Sequence, residues 1–222
     1  MNFSLNFRQA MEDYILLLNK KYPEKAIHEL ISTRYSLSHF ERSMLYRGIT
    51  TNEKSGKRKA RLITIEQLSN RTLHIDLFNI LYTLAAYLRG FPVFISNDDL
   101  IRDASESHGT GEWEVHLDKS LDLLIKSLAD LKIQKAVIYI DNPLQHGLAI
   151  SEKLTELVNH SKPVIEIIRD PSPDHLIREA KEGIIATSDS TIIDKSALPV
   201  FDLPRHILES SFNRPVINLA DI

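Results

Sequence analysis

The chain has 222 residues, 43% of them apolar and 26% charged, with a net charge of -3 and no cysteine. That length allows one good core and a small second domain, and the composition excludes a disordered or fibrous chain. Disulfides, zinc–thiolate sites and cysteine nucleophiles are excluded too, so carboxylates, histidines and hydroxyls must carry any chemistry.

The first fifty residues read as helices. Met11, Tyr14, Ile15 and Leu18 recur at helical spacing, and so do Ala26, Ile27, Leu30 and Ile31. The stretch SHFE, residues 38–41, has the form of a capping box, followed by Phe40, Met44 and Leu45 on one side and Gly48 in the position of a C-cap. Residues 50–61, TTNEKSGKRKAR, are polar, contain Gly56 and lack apolar periodicity. The domain boundary is expected there, with a helical module and basic linker over residues 1–60 and an α/β domain over residues 61–222.

From about residue 71 short β-rich runs alternate with longer amphipathic ones, which predicts a parallel sheet flanked by helices. Strands are expected at residues 73–76, 92–95, 136–140, 164–168 and 184–187. Leu117, Leu121, Leu124, Ile125 and Leu128 form one helical stripe. Residues 146–160 and 173–183 supply two more helices, the second opened by Ser172 and Pro173 and closed by Gly183. No apolar run reaches the roughly 18 residues that span a bilayer, and Met1 is not followed by a basic segment and a long apolar stretch. A cytoplasmic protein without a membrane partner is expected.

Three of the β-rich runs end in an aspartate: Asp76 in LHIDLFNIL, Asp141 in KAVIYIDNP and Asp189 in GIIATSDSTIID. In an open parallel sheet the carboxyl ends of the strands converge on one crevice. Clustered carboxylates repel one another unless they take up protons or share a cation, and an all-oxygen donor set selects Mg2+ or Mn2+. Such an ion suits phosphodiester hydrolysis, because it activates water and neutralises charge on the phosphate. Each aspartate has a plainer explanation as a turn residue or helix N-cap, and only their recurrence favours a shared site. Asp174, in SPDHL, stands in a first helical turn, where the helix dipole favours a carboxylate with or without function. Asn79 suits orienting Asp76 or a water, and equally suits capping a helix that begins at Ile80.

Other polar features are open to two readings. Asp99 and Asp103, four apart in NDDLIRD, would share a helix face and offer a further metal ligand, or form a solvated helix start. Asp194 reaches the same crevice if the chain turns tightly after Asp189. His108 suits contact with substrate or a role as acid, and also simple exposure, within a long glycine-containing loop over residues 105–114 that is able to cover the site. Lys54, Lys57, Arg58, Lys59 and Arg61 crowd into eight residues. They form either a solvated linker or, extended by Arg34, Arg42 and Arg47, an electrostatic hold on the phosphates of a bound strand.

Asp76-x-x-Asn79, the strand-ending Asp141, Asp174 at a helix entry and Thr187-Ser188-Asp189 together resemble the PIN-like nucleases, including their NYN-type relatives. Over nearly its full length the chain also resembles an uncharacterised prokaryotic family of unknown function assigned to that superfamily. That likeness rests on RYSLSHFERSMLYRG, IDLFNIL, DDLIRD followed by HG, ATSDSTIID and FDLPRHIL. The resemblance implies a three-layer α/β/α fold with a parallel central sheet, preceded by a small helical module. It also implies hydrolysis of RNA by strand-end acids that bind Mg2+ or Mn2+. With the residues above, Asp76, Asp141, Asp174 and Asp189 become the catalytic candidates, and Asp76, Asp141 and Asp189 the metal ligands, with Asp99, Asp103 and Asp194 as further ones. Asn79, Ser188, His108, Lys57, Arg58, Lys59 and Arg61 become the candidate substrate contacts. Two departures from the superfamily pattern stand out: Leu77 and Phe78 replace the usual glycine after the first aspartate, and NPLQHG after Asp141 lacks a serine-rich turn.

Phosphatases of the haloacid dehalogenase type need a second aspartate two residues after the first, where this chain has Phe78. Neither G-x-x-x-x-G-K-[ST] nor G-x-G-x-x-G occurs. The reading from another class is a non-catalytic RNA-binding or scaffold protein that keeps the PIN-like fold. On either reading the expected partner is nucleic acid, RNA over DNA, and nothing in the sequence excludes a homo-oligomer.

Overall fold

The computed structural model describes residues 5–105, 115–141, 147–158, 163–212 and 216–222. In chain order the first elements are α1 (Leu5–Asn19), α2 (Glu24–Arg34), α3 (His39–Gly48), α4 (Asn52–Lys59), β1 (Thr72–Asp76), α5 (Leu77–Leu88), β2 (Val93–Ile95) and β3 (Ile101–Asp103). They are followed by α6 (Leu117–Asp130), β4 (Lys135–Asp141), α7 (Gly147–Val158), β5 (Val164–Asp170), α8 (Pro173–Glu179), β6 (Ile184–Ala186), α9 (Ser190–Lys195), α10 (Leu203–Ser211) and β7 (Ile217–Asn218). Two compact units result: one takes the described parts of residues 1–60, 86–110 and 214–222, the other those of residues 61–85 and 111–213. Among the described residues no helix is long and apolar enough to cross a membrane.

The first unit contains the expected helices. Helical spacing places Phe7, Ala10, Met11, Tyr14 and Leu18 on one side of α1, where they are buried with Ile27 and Ile31 of α2 and Met44 and Leu45 of α3. The capping box opens α3: Ser38 Oγ accepts from the Glu41 N–H at 3.3 Å, and the Ser38 N–H donates to Glu41 Oε2 at 2.8 Å. Gly48 does not act as a left-handed cap. It is the last residue of α3, where a Cβ would lie 2.5 Å from the Phe94 ring and 2.7 Å from Leu219, so glycine permits a close approach.

Phe94 lies in β2, which pairs antiparallel with β3 and parallel with β7 in a sheet of order β3-β2-β7. The run at residues 92–95 therefore stays out of the larger parallel sheet, and the described parts of residues 86–110 and 214–222 group with the helical unit. Phe94, Ala104 and Leu219 enter the same core as α1 to α3, which is what draws the small sheet there.

Residues 50–61 are mostly helix and not a linker. Thr51 caps α4 by accepting from the Lys54 N–H at 3.2 Å, and Ser55 Oγ donates to Asn97 O at 2.6 Å. Arg58 is only 4% exposed and donates to Asp98 Oδ2 at 2.8 Å. Burial alone would raise the Asp98 carboxyl, but Arg102, Ser96 and Arg58 overcome it and hold the group well below the usual carboxylate range.

The second unit is an α/β arrangement with a parallel four-stranded sheet of order β5-β4-β1-β6. The unbroken apolar run of β4 is explained by burial of its five central residues. On the far side of β6, Val200 bridges to Ile185 and to Leu62 in parallel sense, which continues the pairing. Helix α8 packs on β1, β4 and β5, α7 on β4 and β5, while α6 meets α7 and α10, and α8 meets α9. Helix α8 ends at Glu179 and is not closed by Gly183. Gly183 instead takes φ +104° before β6, where a Cβ would lie 2.8 Å from Thr72 O.

Candidate active site

Side chains of residues paired in register across a parallel sheet point to the same face. Thr72 pairs with Lys135, His74 with Val137 and Asp76 with Tyr139, so Asp141, two beyond Tyr139, shares the face of Asp76. Asp141 pairs in turn with Asp170. On the other side Ile75 pairs with Ala186, which brings Thr187 level with Asp76. Helix α8 covers this same face, its Leu176 and Glu179 lining a cleft with His74, Val137, Tyr139 and Ile168. Its first turn carries Asp174. In the order of the sheet, Asp170, Asp141, Asp76 and Asp189 therefore each end or follow a strand at the carboxyl edge.

Asp76 is half-buried and Thr187 Oγ1 donates to its Oδ2 at 2.8 Å. Burial pushes its carboxyl up to about 7, with Thr187 opposing, the charges of Asp174 and Asp189 adding, and the Asn79 backbone N–H opposing. Helix α5 starts at Leu77, directly after the strand, so Asn79 lies inside its first turn and does not cap a helix from Ile80. Asn79 Oδ1 accepts from the Ser188 N–H at 2.8 Å and the Ser188 hydroxyl at 3.0 Å. Ser188 is buried, and its hydroxyl donates to Asn79. Leu77 and Phe78 are both buried, so the bulk that replaces a glycine here is packed away from solvent.

Asp189 is the N-cap of α9: its Oδ1 accepts from the Thr191 N–H at 2.5 Å and the Ile192 N–H at 3.3 Å. Its own N–H donates to Thr187 Oγ1 at 3.0 Å. The plainer explanation from the sequence thus holds for this residue, while its charge still acts on Asp76 and Asp174. Burial raises the Asp141 carboxyl, and its Oδ1 is buried with no hydrogen-bond partner among the described residues. Asp174 is raised by partial burial and by Asp189, lowered by Arg178 and raised again by Asp141. Tyr82, on α5, is raised first by burial and then by the charges of Asp141 and Asp76, so both acids lie within electrostatic range of its hydroxyl. Among the described residues, no group of three or more histidines, aspartates and glutamates stands close enough together to hold a metal ion.

The remaining candidates do not join this cluster. Asp99 sits in a turn at φ +64° and Asp103 ends β3, so the two do not share a helix face. Both belong to the first unit, where Asp99 pairs with Lys59 at 3.1 Å and Asp103 with Arg47 at 3.3 Å. Asp194 is exposed on α9, and its charge acts on Arg61. The basic run is occupied within the protein: Arg58 by Asp98, Lys57 by Glu53 at 2.7 Å, and Arg61 by the carbonyls of Ile193 and Leu198. His108 and nearly all of the loop at residues 105–114 lie outside the described residues, as does the segment 142–146 after Asp141.

Three participants escape the reading of the sequence. Asp170 is the most legible of them, since IIRDP repeats the pattern of YIDNP; its Oδ1 accepts from the Ser172 N–H at 2.7 Å. Thr187 is quoted only as part of a motif, yet it links two of the acids. Tyr82 carries no local signal at all.

Two family models match the chain and meet near the start of the second unit, although the larger also spans residues 86–110, whose described part belongs to the first unit. The model of a family described as a domain of unknown function, DUF5616, matches residues 65–206, more than half of the chain. A second, described as a protein of unknown function, DUF434, matches residues 6–61. An uncharacterised protein of Methanocaldococcus jannaschii is 26% identical over 189 residues, covering 85% of this chain and 89% of its own. No solved structure matches the chain.

Proposed function

This chain belongs to the DUF5616 family, whose model takes in the whole four-stranded sheet, and we propose that it is a metal-dependent nuclease of PIN-like fold that acts on RNA. One observation carries the reading: Asp76, Asp141 and Asp174 are all raised, and Asp189 adds to the repulsion, at one carboxyl edge. Carboxylates gathered this way are relieved by a cation, and perturbed groups of this kind concentrate at functional sites.

The donor set fits a hard ion. It is all oxygen, and the buried Oδ1 of Asp141, without a partner among the described residues, is the atom such an ion would satisfy. Asp76 and Asp141 would hold Mg2+ or Mn2+, an ion that keeps several of its waters, while Asp174 and Asp189 would act on it through their charge and not as ligands. When bound, the ion supplies activation of water and neutralisation of charge on a phosphodiester. The chain's own part is positioning. Thr187 fixes one oxygen of Asp76, and Asn79 holds the turn from which Asp189 projects.

A second reading, a non-catalytic RNA-binding or scaffold protein of the same fold, is favoured by the capping role of Asp189 and by the absence, among the described residues, of three acids or histidines close enough to hold one ion. Incubation of labelled RNA and DNA pools with Mn2+, and then with chelator, separates the two. The nuclease reading expects RNA cleavage that chelator stops and that Asp141→Asn lowers by about a hundredfold or more. RNA bound but left intact at every Mn2+ concentration would establish the scaffold.

A further inference from the structure

The first unit holds a cleft of about 980 Å3 between α2 and α3, and it shares no residue with the strand-end acids. Its charged lining is Lys25, Arg42, Arg47 and one acid, Glu24, with the buried Asp103 carboxylate behind Arg47. Each arginine is fixed by only part of its guanidinium. Arg42 Nε donates to Leu37 O at 3.1 Å, and Arg47 Nη1 donates to Asp103 Oδ1 at 3.3 Å and Ser105 O at 2.9 Å. No acceptor among the described residues meets the other N–H groups of these two side chains. Two guanidinium groups that line the cleft are thus held in place with donors to spare, and a guanidinium suits a phosphate in a way that lysine does not reproduce.

Beside them stands an aromatic surface. Tyr46 is 55% exposed and lies four residues after Arg42, on the same side of α3. Its ring meets His28 edge-on, with centroids 5.4 Å apart and planes at 67°. His28 is anchored in turn, Nε2 donating to Arg42 O at 2.9 Å. The tyrosine ring is thus braced from within the protein and open on its outer side. A braced ring next to guanidinium groups is a stacking platform for a base whose phosphate the cations hold. The volume matches the upper range of small-ligand sites, about 300–1,000 Å3, and accommodates a whole nucleotide.

We propose that this cleft is a nucleotide site: Arg42, Arg47 and Lys25 take the phosphate and Tyr46 stacks on the base. The nucleotide comes from single-stranded RNA or is free in solution. The choice of RNA rests on the nuclease reading, whereas the site itself does not. It places the phosphate-holding surface on α2 and α3 in place of α4.

Fluorescence anisotropy of a labelled single-stranded RNA in chelator measures binding without cleavage, so failure of the nuclease reading leaves this test intact. Tyr46→Ala is expected to weaken binding by about tenfold, the loss of one stacked base. Arg42→Gln is expected to lower the salt slope by about 0.7, one phosphate contact on a single strand. Lys25→Gln, at an exposed position, should act in the same direction and serves if Arg42→Gln lowers the thermal midpoint. Adenosine monophosphate tests the other source: if it binds, is lost in Tyr46→Ala, and RNA does not bind, the site is for free nucleotide. The proposal is overturned if neither probe binds the wild type, or if Tyr46→Ala and Lys25→Gln leave affinity and salt slope unchanged.

Discussion

Thr187 Oγ1 donates to Asp76 Oδ2 at 2.8 Å and accepts from the Asp189 N–H at 3.0 Å, so one hydroxyl joins the acid that ends β1 to the acid that follows β6. The link runs between neighbouring strands and ties the turn after β6 to the strand at the middle of the sheet. It also partly offsets the burial that pushes the Asp76 proton affinity upward.

The Asp76 carboxyl, lifted from 3.8 to about 7, makes stability depend on pH. The folded state binds this proton more tightly than the unfolded chain. Its contribution is fully present below about pH 4 and is lost as pH rises through 7. In chelator, the unfolding free energy from urea titration should fall between pH 4 and pH 8, by roughly 2–4 kcal/mol from this group. Asp76→Asn, always neutral, should lack that part of the decline. Identical pH profiles for the two proteins would show that Asp76 is not held protonated.

Asp189 has a capping role and a charge, and two substitutions separate them. Asp189→Asn keeps the acceptor for the Thr191 and Ile192 N–H groups and should fold like wild type. Asp189→Ala loses the cap and should be about 1 kcal/mol less stable. Mn2+ should raise the wild-type thermal midpoint, because an ion that binds only the native state stabilises it. A smaller rise in Asp189→Asn assigns the charge to the ion, while an equal rise leaves Asp189 as a cap alone.

Alanine at three glycines should act in different directions. Gly183→Ala meets both a positive φ and Thr72 O, and should lower stability by about 2–4 kcal/mol. Gly48→Ala drives a methyl into Phe94 and Leu219, an overpacking worth about 1–3 kcal/mol. Gly56→Ala in α4 meets nothing within 4 Å and should stabilise by roughly 0.5–1 kcal/mol. Denaturant titration of the three variants checks the signs.

Arg58 and Lys57 adjoin in the sequence but differ in burial. Arg58→Met leaves Asp98 buried with one guanidinium fewer and should destabilise by about 3–5 kcal/mol. Lys57→Gln breaks an exposed pair with Glu53 and should change stability by less than about 1 kcal/mol. Equal effects in urea unfolding would mean that the ion pair of Arg58 is not structural.

The sequence by itself determined what depends on local periodicity and local hydrogen bonds. The amphipathic stripes of α1 to α3, the capping box at Ser38 and Glu41, and the apolar runs that end at Asp76 and Asp141 are legible because period and cap lie within a few residues of each other. Asp170 could be read the same way. Only the tertiary structure decided that β2 enters the helical core, that residues 52–59 are held as a helix by Arg58 meeting Asp98 forty residues on, and that Thr187 bridges β1 and β6. A pattern of apolar and polar residues states which side of an element is buried but not against what. The partner is chosen by contacts between residues distant in the chain, where burial, charge and hydrogen bonding must be satisfied together.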